Sequence, residues 1–273
     1  MLSAAQFQQL FPEAPEAHRS AFLASATALF HQAGLHARPA RCHFFLAQLG
    51  HESEGLRRVE EDLSYSAARL MQVWPARFPT LAAATPCARN PEALAERVYG
   101  GRMGNDRQGD GYRYRGRGYL QLTGRDAYRA VGALAGLPLE AQPELAATPQ
   151  HALAVACGVW VWKALNPYCD AGDFTGLSRR INGGLVGLQD RFARLARAQA
   201  CLPWPGLEQV RAVQRLLRAR GLYDGSIDGI LGRRSLAGLA VLRAEAGLPP
   251  GGLDGAVLAL LPAGDGAAPA RAA

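Results

Sequence analysis

Lysine is almost absent from this chain. Lys163 stands alone, so nearly all of the 30 basic residues are arginine. No basic run occurs either: 22 basic and 17 acidic residues precede Gly206, and 8 and 6 follow it. The net charge of +7 is therefore diffuse, which excludes a nucleic-acid-binding arm but leaves a surface suited to an anionic polymer. The five cysteines are widely spaced with no C-x-x-C pair, and a chain of this length does not need disulfide staples. An odd number leaves at least one thiol free and fits a reduced fold made in the cytosol. No run reaches the roughly 18 apolar residues of a membrane span, so stable membrane insertion is not expected. Met1–Phe7 carries neither a basic region nor an apolar core, so a signal peptide is not expected and delivery beyond the cytoplasm would need another agent.

What is present is a globular composition, 49% hydrophobic and 19% charged over 273 residues, enough for one large domain and one small one. Helical periodicity dominates residues 1–200. Residues 16–33 put Phe22, Leu23, Ala26, Leu29 and Phe30 on one face and stop at Gly34, and residues 41–52 repeat the pattern with Phe44, Phe45, Ala47 and Leu49 up to Glu52. Asn90-Pro91 and Thr148-Pro149 each read as a cap followed by proline at the first helical position. The second opens an apolar, Trp-rich helix that belongs to a core. Residues 101–118, rich in Gly, Arg and Tyr, predict loops or a small hairpin. Leu202-Pro203-Trp204-Pro205-Gly206 punctuates the chain as a linker. Helical patterns over 207–220 and 233–246 enclose a turn-dense Gly221–Gly232, and residues 262–273 read as a disordered tail.

Two carboxyls nine residues apart, Glu52 and Glu61, stand out in His51-Glu52-Ser53-Glu54-Gly55 and Glu61-Asp62-Leu63-Ser64-Tyr65. Cleaving a glycosidic bond needs one protonated and one ionised carboxyl, about 6.5–9.5 Å apart in the inverting case. A nine-residue strand would separate them by about 30 Å and a helix by about 13 Å. Gly55 supplies a break that lets Glu61 fold back across a cleft. Glu54 competes with Glu52 for the first role, and Glu60 and Asp62 compete with Glu61 for the second.

Four segments in order resemble glycoside hydrolase family 19, the chitinase-like fold shared with endolysins. They are F-L-A-Q-L-G-H-E-S-E-G (45–55), E-D-L-S-Y-S-A (61–67), Y-R-G-R-G-Y-L-Q-L-T-G-R-D-A-Y (114–128) and I-N-G-G-L-V-G-L-Q-D-R (181–191). The resemblance implies a mainly α, lysozyme-like catalytic domain over residues 1–202, joined by a 203–206 linker to a module over 207–261. It also implies Glu52 as general acid and Glu61 as general base of an inverting hydrolysis, with burial and a neighbouring carboxylate favouring the protonated acid. Thr123 matches a hydroxyl that holds the attacking water, Gln121 and Asn182 match sugar-contacting amides, and Arg191 matches a cleft arginine that organises the carboxylates. Tyr65 and Arg117 would shape the cleft. Ala127 departs from the pattern, since the family usually has an asparagine there that touches substrate or water; Asp126 is the neighbour that could replace it. Residues 207–261 resemble a three-helix peptidoglycan-binding module through Val210–Gln214, Ile227-Asp228-Gly229 and Gly247-Leu248, with Leu242-Arg243 in place of the usual Phe-Gln.

His51-Glu52 begins an H-E-x-x-H zinc motif, but Gly55 occupies the second histidine's place, so neither metal nor cofactor is expected. Cys42 and His43 are adjacent on a helix and diverge, which excludes them as a catalytic pair. A non-catalytic wall-binding protein is the rival from another class. Within catalysis, the module and the basic charge favour peptidoglycan over chitin. The expectation is a monomeric endolysin, an N-acetylmuramidase made in the cytoplasm that acts at the bacterial wall after release.

Overall fold

The computed structural model describes residues 2–202 and 207–262. The first stretch is helical throughout: α1 Ala4–Leu10, α2 Glu16–Gln32, α3 Pro39–Glu52, α4 Ala67–Val73, α5 Leu81–Ala84, α6 Pro91–Tyr99, α7 Asp110–Arg113, α8 Arg125–Ala135, α9 Ala152–Trp162, α10 Asn166–Asp170, α11 Phe174–Asn182 and α12 Leu188–Cys201. Local chemistry sets many of these bounds. Ser3 and Gln6 form a capping box at α1, Asn90 caps α6 through the Ala93 amide, and α2 stops where Gly34 takes φ +69°. The chain is mainly α, as the periodicity predicts. Among the described residues β pairing is limited to two isolated bridges, Glu60 with Arg117 and Arg117 with Leu122.

Two separate apolar clusters lie in this stretch. The larger is threaded by edge-to-face aromatic contacts running Phe7–Phe22–Phe30–Phe45–Trp160. α3 is its axis and packs most extensively against α12. Every residue from Cys42 to Gly50 is buried, so α3 is enclosed on all sides rather than along one face. The smaller cluster joins Leu63, Leu70, Phe78, Leu94, Ala95 and Val98 from α4, α6 and their connections. The segment between Glu52 and Leu63 passes from one cluster to the other, which is what allows a groove between them.

The expected start of the Trp-rich helix needs correction. α9 begins at Ala152, not at Pro149; a 3-10 turn over Pro143–Ala147 precedes it, and the Thr148 amide (3.1 Å) and hydroxyl (2.9 Å) both donate to the Leu145 carbonyl of that turn. Trp160 is buried there, donating to Asn166 Oδ1 at 2.9 Å, while Trp162 lies on the exposed side. Residues 101–118 also hold more helix than expected, with α7 forming one turn at Asp110–Arg113.

Beyond the linker residues 203–206, which with residues 263–273 of the tail lie outside the described residues, come α13 Leu207–Ala219, α14 Arg233–Glu245 and α15 Gly255–Leu258. Their core is Val213, Leu217, Leu239, Leu242 and Val257. Gln214, fully buried, shapes the turn-dense loop from inside. Its Nε2 donates to Asp228 Oδ1 (2.9 Å) and the Ile230 carbonyl (3.0 Å), and its Oε1 accepts from the Gly229 amide (2.8 Å). Arg243 is also buried and fastens the last turn by donating to the Pro249 and Gly252 carbonyls and to Asp254. Among the described residues no helix is long and apolar enough to cross a membrane.

Candidate active site

α3 ends at Glu52, and the chain leaves it through Glu54, Gly55 and Leu56, all at positive φ (+50°, +72°, +72°). Only glycine adopts this conformation without strain. The buried Ser53 holds the turn, donating to the Leu49 carbonyl (2.6 Å) and accepting from the Leu56 amide (2.9 Å). The turn swings residues 59–61 against residues 116–118, where the Glu61 amide donates to the Gly116 carbonyl (3.0 Å) and the Gly118 amide to the Val59 carbonyl (2.8 Å).

The result is a cleft of about 460 Å³ lined by Glu52, Glu61, Tyr65, Gln121 and Asn182, together with His51, Glu54, Arg58, Asp62, Leu120, Lys163 and Ile181. Both candidate carboxyls open into this one trough. Their surroundings differ. Glu52 Oε1 accepts from Nη2 of the buried Arg191 at 2.6 Å, and among the described residues Oε2 has no hydrogen-bond partner. Glu61 uses both oxygens: Oε1 accepts from the Gly116 amide (2.6 Å) and Oε2 from the Tyr99 hydroxyl (2.8 Å). Burial, and secondarily the Glu61 charge, push the Tyr99 hydroxyl upward, so Tyr99 keeps its proton and remains a donor.

Among the competing carboxyls, Glu60 turns away from the cleft to pair with Arg115 and Arg117. Glu54 and Asp62 line the trough, and Glu54 pairs with Arg58 at 3.1 Å. Gln121 sits at φ +51° at the tip of the Gly118–Gln121 turn. Tyr65 packs edge-on against Trp74.

The remaining expected residues lie outside the lining. Arg117 is buried and committed to Glu60, to the Arg113 carbonyl (2.7 Å) and to the Tyr128 hydroxyl (3.1 Å); it braces the turn from behind instead of meeting substrate. Arg191 is 1% exposed and reaches the cleft only through Glu52. A cation, not the expected second carboxylate, is therefore the near neighbour of Glu52. Thr123 donates to the Gln121 carbonyl at 3.2 Å and is not among the residues that line the cleft. Ala127 packs in the main core, and Asp126 is turned outward to Arg129, so Asp126 does not substitute for an amide there.

Sequence reasoning missed four contributors. Lys163, directly after α9, lines the cleft while its Nζ donates to the Ile181 carbonyl at 3.0 Å. Burial and the charge of Arg180 lower its pKa, partly offset by Glu52. Its rarity in the chain was the available signal. His51 is oriented by Asp190 (2.6 Å), which also binds Arg194 (2.7 Å). Gln48, one helical turn before Glu52, carried a spacing signal. Tyr99 carried none. Among the described residues no group of three or more His, Cys, Asp or Glu could hold a metal ion.

No family model matches the chain. A glycosyl hydrolase family 19 domain-containing protein of Haemophilus influenzae is 38% identical over 200 residues, spanning 72% of this chain and 95% of that protein. The chain belongs to glycosyl hydrolase family 19. An endochitinase of Arabidopsis thaliana is 41% identical over 73 residues, 26% of this chain and 25% of its own length. Chitinase C from Streptomyces griseus HUT6037 superposes with a TM-score of 0.50 at 22% identity, covering 74% of this chain and 76% of that one. That likeness shows a shared fold.

Proposed function

We propose that this family 19 glycosidase cleaves the β-1,4 glycan strand of bacterial peptidoglycan as an N-acetylmuramidase, by a one-step inverting mechanism. The observation that carries the reading is the opening of Glu52 and Glu61 into one trough, each held in a different hydrogen-bonding environment. Glu52 acts as general acid. Arg191 occupies Oε1, which leaves Oε2 to carry the proton toward the leaving glycosidic oxygen. Glu61 acts as general base, its carboxylate aimed by Gly116 and Tyr99 to take a proton from the attacking water. Thr123, whose hydroxyl donates to the carbonyl of the lining residue Gln121, helps hold that water. Gln121 and Asn182 present amides to the acetamido and hydroxyl groups of an amino sugar.

Peptidoglycan is preferred over chitin because the basic chain carries a second helical unit resembling wall-binding modules. Chitin is the alternative, favoured by the names of the plant relatives. In the peptidoglycan reading the protein is a monomeric endolysin, made in the cytoplasm and acting at the wall after a partner opens the membrane.

Digesting purified sacculi, reducing with borohydride and identifying the new ends by mass spectrometry tests this directly. Reduced muramic acid ends support the muramidase. Reduced glucosamine ends on sacculi overturn the bond assignment, and cleavage of chitin oligomers without attack on sacculi overturns the substrate. Glu52→Gln should lose turnover by about 100- to 10,000-fold while still sedimenting with sacculi. Removing residues 206–273 should weaken that sedimentation.

A further inference from the structure

Behind Glu52 the Arg191 guanidinium continues into a row of buried polar groups, Gln48 and Ser178, that no proposed catalytic step uses. Arg191, whose Nη2 holds Glu52, donates through Nη1 to Gln48 Oε1. Gln48 Nε2 in turn donates to Ser178 Oγ at 2.9 Å, and Ser178 Oγ donates to the Phe174 carbonyl at 2.8 Å. The row crosses α12, α3 and α11, and Ser178, Gln48 and Arg191 are all buried.

The proton directions are forced. The Phe174 carbonyl can only accept, so it takes the Ser178 proton and leaves that hydroxyl as an acceptor. Gln48 must therefore turn its NH₂ toward Ser178 and its oxygen toward Arg191. The amide is locked in the one orientation that serves the guanidinium. The choice of an amide has an electrostatic consequence. A carboxylate at position 48 would share the Arg191 charge and add a like charge behind Glu52, whereas a neutral oxygen satisfies the Nη1 arm and leaves the cation's charge acting on Glu52 alone.

We infer that Gln48, fixed by Ser178, is a positioning residue that tunes through Arg191 how tightly Glu52 holds the proton it donates. The inference rests on Glu52 being the general acid. That acid must be protonated to work, so its ionisation forms the alkaline limb of the pH–rate profile. Gln48→Glu favours the protonated form of Glu52 and moves the limb to higher pH. Gln48→Met, similar in volume but without an acceptor, concentrates Arg191 on Glu52 and moves it lower. Each shift should be about one pH unit. Ser178→Ala frees the amide and moves the limb in the same sense as the methionine variant, by less.

The profiles are measured for the full chain on purified sacculi and, in parallel, on N-acetylglucosamine hexamer, so that either polymer reports. Thermal melts accompany each variant. A merely structural role would lower melting temperature or turnover with the limb in place. If every variant that folds keeps the parent's alkaline limb, the inference is overturned; if position 48 tolerates neither change, Ser178→Ala decides alone. Glu52→Gln is assayed alongside. Continued turnover there overturns the acid assignment itself, whereas an inactive Glu52→Gln with unmoved limbs elsewhere overturns only the part given to Gln48.

Discussion

The Tyr99 hydroxyl donates a hydrogen bond to Glu61 Oε2 at 2.8 Å, binding the end of α6 to the carboxylate that faces the cleft. A donor at this position favours the charged form of a carboxylate. Tyr99→Phe removes the hydroxyl and leaves the ring. The expected outcome is about a tenfold loss in kcat, with the acid limb of the pH–rate profile displaced upward and KM little changed. Steady-state kinetics across pH checks it, and an unmoved acid limb would count against Tyr99 as an aligning group.

Gly116 marks the closest approach of backbone to the proposed base. A Cβ at this position would collide with Gln121 Oε1 and come within 3.3 Å of the Glu61 carboxyl. Gly116→Ala should displace Gln121 and tilt Glu61, lowering kcat on the order of 100-fold while the helical circular dichroism stays that of the parent. Unaltered turnover would mean that Gln121 plays no part in the reaction.

Three histidines make stability depend on acid. Burial lowers the pKa of His18, His36 and His43, partly offset at His43 by its bond to the Leu202 carbonyl and at His36 by its bond to the Thr27 carbonyl. The unfolded chain then takes up protons that the folded chain refuses. Stability is complete above the unfolded value of about 6.5 and falls as pH drops through it toward the lowered folded values. Melting temperature followed from neutral pH downward should decline across that window. His43→Gln, which can still donate to Leu202, should make the decline shallower.

All five cysteines are free thiols, and burial raises Cys42 to about 12 and pushes Cys157 further still. The nucleophile toward thiol reagents is the thiolate, so these groups should stay silent in the native protein. Cys201, half-buried near the end of α12, is the site expected to react first. Counting labelled residues by mass spectrometry before and after denaturation checks this, and fast native labelling of Cys42 would show that the core around α3 opens readily.

Much of the site could be read from the chain because its chemistry is local. Glu52 at a helix end, Gly55 as the break and Glu61 beyond it are close in sequence, and each follows from helix-ending and turn rules. Gln121 and Asn182 were reached through the family motifs and do line the trough. What escaped depended on contacts between distant segments. Arg117 looked suited to substrate until its burial against Glu60 and Tyr128 was visible. Arg191 was reached through the 181–191 motif, but its pairing with Gln48 behind Glu52 depends on α12 meeting α3, which no local pattern reveals. Tyr99 reaches Glu61 only because α6 belongs to the second apolar cluster. The start of α9 at Ala152 follows a 3-10 turn over Pro143–Ala147 that a Thr-Pro pair does not announce.

The loop between α13 and α14 takes its form from Gln214, whose single amide grips Asp228, Gly229 and Ile230 from within. The exposed Ser226 side chain takes no part in that grip, so a change there should leave the loop's scaffold in place. A change at Gln214, by contrast, would release three loop residues at once.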